Sequence, residues 1–133
     1  MSDDSKVLDG LKYTKDHEWI KVKGDTGTVG ITDFAQHSLT DIVFAELPQA
    51  GKVVEQGKAA MVVESVKSVS DVFAPVSGEI TEVNEGVGKD SSLINKDPYG
   101  EGWLFKLKVK DASELEKLMD AEAYRKYLAE QAH

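Results

Sequence analysis

The segment AAMVVESVKSVSDVFAP, residues 59 to 75, is nearly a palindrome about the Lys67–Ser68 bond, and this symmetry restricts the fold more tightly than any other stretch. Read outward from that bond, Val66 matches Val69, Ser65 matches Ser70, Glu64 matches Asp71 and Val63 matches Val72. Two antiparallel strands joined by a two-residue loop place such positions directly opposite one another. The symmetry therefore predicts a hairpin with Lys67 at its tip. Two features oppose it: two-residue loops favour Gly, Asn or Asp because their turns need positive φ, and Glu64 facing Asp71 sets like charges across the strands. Departures of this kind gather at functional sites. A lysine at a turn is ordinarily a solvated surface residue. On a rigid projection it is also suited to carry a carboxylic cofactor in amide linkage, and tethering raises that cofactor's effective concentration at other sites.

The surroundings of this hairpin read as further β-structure. From Tyr13 to Val109, short alternating runs are separated by Gly, Pro, Asp and Asn, the punctuation of a sandwich or barrel. In residues 103 to 110, Trp103, Phe105, Leu107 and Val109 share one face of a strand, while Lys106, Lys108 and Lys110 line a solvated face or a protected edge. DPYGEG, residues 97 to 102, and APVSGE, residues 74 to 79, read as turns. Helical spacing occurs in two places. Thr32 or Asp33 caps a short helix running to about Leu39. Ser113 and Glu116 have capping-box spacing, and Leu115, Leu118 and Met119 begin a stripe that continues through Tyr124, Tyr127 and Leu128 after a break near Asp120. That stripe can dock a partner, but such stripes more often cover their own sheet.

Composition removes several function classes. The chain of 133 residues carries 16 Lys plus Arg against 24 Asp plus Glu, a formal charge of −8, so nucleic acid and anionic membrane are poor partners. It has no Cys, which excludes disulfides, thiolate metal sites and a cysteine nucleophile, so any sulfur chemistry must come from outside the chain. His17, His37 and His133 lack metal-ligand spacing, and no Gly-X-Ser-X-Gly elbow is present. GDTGTVG, residues 24 to 30, reads as a turn between strands rather than a dinucleotide loop. The acidic N-terminus has no secretory h-region, and no stretch approaches a membrane span.

With GKVVEQG before it and APVSGEI after it, the hairpin resembles the biotinyl/lipoyl attachment fold, and Val66-Lys67-Ser68 in place of Met-Lys-Met disfavours biotin. ESVKSVSD (64–71), DHEW (16–19), GITDFAQHSL (30–39) and INKDPYGEGW (94–103) together resemble the glycine cleavage system H protein family over about residues 11 to 130. The resemblance implies a mainly β fold, a barrel-sandwich hybrid of two antiparallel sheets with a short internal helix and a C-terminal helix. Residues 1–133 then form a single lipoyl-carrier domain, with an N-terminal tail at 1–10 and a C-terminal helical segment at 111–133.

The same resemblance implies a carrier rather than an enzyme. Lipoate is joined to Lys67 as N6-lipoyllysine by a lipoate ligase or a lipoyl/octanoyltransferase. The arm takes the aminomethyl group of glycine from the P protein to the T protein and is reoxidised by the L protein. The loaded arm folds into a surface cleft, where Glu18, beside His17, meets the aminomethyl cation through a charge-assisted hydrogen bond. Glu64, Ser65, Val66, Ser68 and Asp71 form the hairpin surface around Lys67, with Glu64 and Asp71 either read by the lipoylating enzyme or simply solvated. A monomer is expected, in the bacterial cytoplasm or, for a processed eukaryotic form, the mitochondrial matrix. The acidic surplus suits basic docking surfaces on partner enzymes. A lipoate-relay carrier and an unmodified interaction module are the alternatives. Two positions depart from the family pattern: Thr40 stands where glycine is usual after the short helix, which predicts a different helix exit, and KDSSL, residues 89 to 93, lacks a customary proline, which predicts a looser loop.

Overall fold

A computed structural model of the chain describes residues 6–131. Strands β1 (Lys12–Tyr13), β2 (Glu18–Lys23) and β3 (Thr26–Ile31) form an antiparallel meander, and helix α1 (Asp33–Leu39) leads to β4 (Ile42–Glu46). After β5 (Val53–Val54) come β6 (Ala59–Ser65), β7 (Val69–Phe73) and β8 (Gly78–Val83). Two short helices, α2 (Glu85–Lys89) and α3 (Leu93–Lys96), precede β9 (Phe105–Val109), and a 3₁₀ turn at Ala112–Lys117 leads into α4 (Ala121–Gln131). The larger antiparallel sheet has the order β1-β2-β3-β9-β8-β5 and the smaller one β4-β6-β7. This is the mainly β, two-sheet architecture expected, with its internal and C-terminal helices. Helices α2 and α3 are additions, five and four residues long, too short to display a helical period.

Alternation explains the core. Ile20, Val29 and Phe105 of the larger sheet face Met61, Val63 and Val72 of the smaller one in a single buried cluster. β2 is covered on both faces, because Trp19 points the other way and packs with Tyr13, Tyr124 and Leu128. The Tyr13 and Tyr124 rings stack at 4.5 Å, so the stripe of α4 covers its own sheet. Gly30 lies directly opposite Trp19, and a Cβ there would stand 2.7 Å from the indole ring. Of the glycines in residues 24 to 30, Gly24 supplies the hairpin turn at φ +64, and Gly27 and Gly30 lie within β3.

Three local expectations change. β9 runs between β3 and β8, so its lysines line a solvated face and not an edge. The strand also begins two residues later than expected. Leu104 is buried, and Trp103 turns into the α4 cluster with the Lys106 ammonium 5.1 Å from its ring centroid. At the C-terminal segment, Asp111 and not Ser113 is the cap, its Oδ1 accepting from the Ser113 N–H at 3.0 Å, and the turn that follows is 3₁₀. The break near Asp120 has two causes. Met119 and Tyr13 exchange backbone hydrogen bonds of 2.8 and 2.9 Å, which holds the chain extended, and Asp120 then accepts from the Ala123 N–H at 2.8 Å.

Of the expected tail at 1–10, residues 1–5 lie outside the described residues, as does His133. Residues 6 to 8 are tied down: Tyr13 donates to the Leu8 carbonyl at 2.7 Å and Tyr99 to the Lys6 carbonyl at 2.6 Å.

Candidate functional site

The β6–β7 hairpin forms, but its centre lies one residue earlier than the palindrome suggests. The partners are Glu64 with Val69, Val63 with Ser70, Val62 with Asp71 and Met61 with Val72. Glu64 therefore does not oppose Asp71; the two are diagonal neighbours on one face, and the direct clash of like charges is absent. The loop is Val66-Lys67, closed by the Ser65 N–H donating to the Ser68 carbonyl at 2.8 Å. The Ser65 hydroxyl oxygen accepts from the N–H of Ser68 at 3.1 Å and of Lys67 at 3.3 Å. A serine side chain thus serves the backbone donors of the loop, and neither Val66 nor Lys67 needs positive φ. This is the physical reason for the changed register: the Ser65 hydroxyl stabilises a turn that Lys-Ser at the loop centre could not.

Lys67 is exposed, and its loop is fastened from a third side where the Val66 N–H donates to the Asp41 carbonyl at 3.0 Å. Asp41 follows Thr40, which closes α1 at φ 64 and ψ −146, a conformation that favours glycine. The helix exit thus keeps a left-handed φ despite carrying Thr. Asn95 braces it, donating to the Thr40 carbonyl at 2.8 Å and the Gln36 side chain at 3.0 Å while accepting from the Ile42 N–H at 2.8 Å. The KDSSL loop, expected to be looser, is tied too: Ser91 donates to the Ile42 carbonyl at 3.2 Å.

The base of the same hairpin meets Glu18. This carboxyl is only 2% exposed, in phase with Ile20 on the inward face of β2. Its Oε1 accepts from the Thr14 hydroxyl at 2.5 Å and its Oε2 from the Phe73 N–H at 3.2 Å. Burial raises its pKa to about 7, outweighing these two donors, which favour the carboxylate. Beside it opens a cavity of about 170 Å³ lined by Thr14, Asp16, Gly57, Phe73, Pro75 and Lys117, among others. Larger surface hollows, such as one of about 620 Å³ lined by Val53, Lys110 and Glu114, touch neither Glu18 nor Lys67.

His17 does not line that cavity. Its ring turns toward α4, with Nδ1 2.8 Å from the Tyr124 hydroxyl and its centroid 4.5 Å from that of Phe34. Its backbone has φ 70, in the left-handed region where few residues other than glycine settle, in the loop that reverses β1 into β2. These ring contacts hold His17 in the conformation that sets Glu18 at the start of β2.

Several contributors went unnoticed in the sequence. Thr14 and Phe73 hold the Glu18 carboxyl, and Gln56 and Glu114 brace the cavity wall. The Glu114 carboxylate accepts from the Ser77 N–H at 2.7 Å and the Gln56 amide donates to the Pro75 carbonyl at 2.9 Å. Only Glu18 itself left a signal: a carboxylate in phase with Ile20 and Val22, where a core-facing apolar residue is expected.

The family model described as Glycine cleavage H-protein matches residues 11–131. The chain is 56% identical over 120 residues to the glycine cleavage system H protein of Thermus thermophilus, covering 90% of this chain and 94% of that one. It is 55% identical over 115 residues to the namesake protein of Bacteroides thetaiotaomicron, covering 86% and 91%. Among solved structures it is similar to a glycine cleavage system H protein from Mycobacterium marinum. The TM-score there is 0.83 at 38% identity, over 96% of this chain and all of that one (100%).

Proposed function

The chain belongs to the glycine cleavage H-protein family, and on that premise we propose that it is the lipoyl carrier of glycine cleavage, passed among enzymes rather than acting as one. Lys67 is the acceptor, to which a lipoate ligase or a lipoyl/octanoyltransferase joins lipoate as an amide. The observation that carries this reading is the place of Lys67, beside Val66, in an exposed two-residue loop held by Ser65, Ser68 and the Asp41 carbonyl. An acceptor amine must enter another protein's active site, and a narrow, backbone-braced projection presents it there at little entropic cost.

Lys67 would hold the lipoyl group in amide linkage, and that group would supply a disulfide able to carry the aminomethyl group of glycine between the P and T proteins, with the L protein as its oxidant. The chain's own residues bind and orient. Glu18, held near pH 7 by burial, gains its charge when an ammonium group arrives beside it and releases its proton to solvent. Thr14 and the Phe73 N–H keep that carboxyl aimed, and Pro75, Lys117 and Leu118 line the cavity beside it. The acidic side chains of the lining, Glu18 and Asp16, suit a small cationic group, while Phe73, Ala74, Pro75 and Leu118 supply its apolar part. His17 acts through the backbone, fixing where β2 begins. The cytoplasm of a bacterium is the proposed setting, with the protein acting as a monomer.

Lys67→Arg decides the matter. Protein from its native cell carries the lipoyl mass increment on Lys67 and supports glycine–bicarbonate exchange with the P protein, and the variant does neither. An increment on another lysine, or exchange that survives the substitution, overturns the proposal.

A further inference from the structure

Exposed large apolar side chains are not spread evenly over this molecule. Among the described residues there are five: Val43 at 56%, Phe44 at 48% and Val69 at 66% lie on the smaller sheet, and Val66 at 65% lies in its hairpin loop next to Lys67. The fifth, Val53 at 65%, lies on β5 of the other sheet. Pairing places Phe44, Glu64 and Val69 in one row across β4, β6 and β7, with Glu46, Val62 and Asp71 in the next row. A β-bulge between Ile42 and Phe44 gives this face its second apolar residue on β4. Regular alternation would turn one of Val43 and Phe44 inward, whereas the bulge leaves both exposed and buries Ile42. The bond from the Val66 N–H to the Asp41 carbonyl ties the tip to the start of this strand, so patch and lysine keep a constant relation.

We propose that this face, in which Phe44 and Val69 flank Glu64 in one row and Glu46 and Asp71 border them in the next, is the docking surface for the enzyme that acylates Lys67, met by an apolar surface carrying basic groups on that enzyme. The inference rests on the reading of Lys67 as the lipoyl acceptor. The occupant follows from reach. Before attachment the reacting Nζ lies only four methylenes from the backbone, so the acylating enzyme must touch the protein around the tip. After attachment the long arm lets later partners work at a distance. Apolar contact with acidic groups next to the tip suits the first encounter, and those acidic groups select a basic partner surface. In the reaction, the Nζ amine displaces AMP from the activated lipoyl carboxyl: the amide C–N bond forms, the mixed anhydride bond breaks, and one proton leaves the nitrogen.

The test uses the unlipoylated full chain as substrate for a purified lipoate ligase with lipoate and MgATP, following the lipoyl mass increment while carrier concentration is varied. Phe44→Ala is expected to raise the KM for carrier about tenfold with kcat within about twofold, as loss of a contact residue would. Val69→Ser, on the far strand, moves KM in the same direction. Val53→Ser removes an equally exposed valine from the other sheet and leaves KM unchanged. Glu46→Lys raises KM further, and added salt abolishes that increment. A KM within about twofold of wild type for both Phe44→Ala and Val69→Ser, or an equal rise for Val53→Ser, overturns the proposal. So does a dimer in sedimentation that the Phe44 substitution dissolves, since a second copy would then be the occupant. If wild-type protein gains no lipoyl group on Lys67, the function reading fails and this inference with it. If wild type is modified there and the patch variants match it, the docking surface alone is wrong.

Discussion

The two ends of the β6–β7 hairpin are built on opposite terms. At the tip, Lys67 stands in solvent on a loop held by backbone donors and one serine hydroxyl. At the base, six residues and about 20 Å along an extended strand, the Phe73 N–H is spent on a buried carboxyl from another sheet. The tip is made mainly by residues adjacent in sequence, with one long-range bond from the Val66 N–H to the Asp41 carbonyl, so it depends chiefly on local hydrogen bonds. The base is made by segments 14–18, 56–57, 73–75 and 117–118, brought together only by folding. A carrier needs both: one end that is presented to other proteins and one that is withheld from water. Electrostatics divides in the same way, since the carboxylates near the tip are solvated while burial displaces Glu18 to a pKa of about 7.

Substitutions at the two ends should therefore separate presentation from shelter. Lys67→Arg has the largest effect: lipoyl incorporation measured by intact mass falls to nothing, while thermal stability is unchanged because the side chain is exposed. A parallel loss of stability would mean that the tip is structurally coupled to the core.

Glu18→Gln comes next and tests the base. The folded chain holds the Glu18 proton more tightly than the unfolded chain does, since its pKa rises from 4.5 to about 7. Its favourable contribution is complete below about pH 4.5, declines as pH rises and is gone above about 7. Wild type thus loses about 3 kcal/mol from this group over that window, and denaturation of the Gln variant across pH 4 to 8 lacks that loss. Attachment at Lys67 proceeds at the wild-type rate in this variant. An identical pH dependence in the two proteins would remove Glu18 as the titrating group.

Ser65→Ala returns to the tip. It removes the acceptor used by the Lys67 and Ser68 N–H groups, with an expected cost of about 1 kcal/mol. Faster amide exchange should be confined to residues 65 to 68, and spread of that exchange to Phe73 would contradict independence of the two ends. Thr40→Gly has the smallest effect, a gain of about 0.5 kcal/mol in chemical denaturation. Relief of the φ 64 conformation there slightly exceeds the added freedom of glycine in the unfolded chain. A destabilised variant would show that the Thr40 side chain outweighs its backbone strain.

How legible each end was follows from the same division. The hairpin could be read because its matched residues are neighbours in sequence, yet its register could not, since the choice rests on where a serine hydroxyl finds donors. Helix α1 was legible from the Thr32 cap, which accepts from the Ala35 N–H at 3.2 Å as expected. Helices α2 and α3 left no period to read. The capping-box spacing of Ser113 and Glu116 misled because Asp111, two residues before Ser113, takes the cap: its Oδ1 accepts from the Ser113 N–H and from the Ser113 hydroxyl. The cavity at Glu18 was named through resemblance alone, although an acidic residue in phase with Ile20 marked the position.

By itself the sequence determined a Cys-free, acidic, mainly β chain with Lys67 at a hairpin tip, because alternation, turn residues and mirror symmetry act over a few neighbouring residues. Only the tertiary structure decided that Glu18 is buried against Phe73, that His17 faces the C-terminal helix and not the cavity, and that Val43 and Phe44 lie exposed beside Lys67. Each of those depends on contacts between distant segments, where burial and hydrogen-bond partners are set by packing.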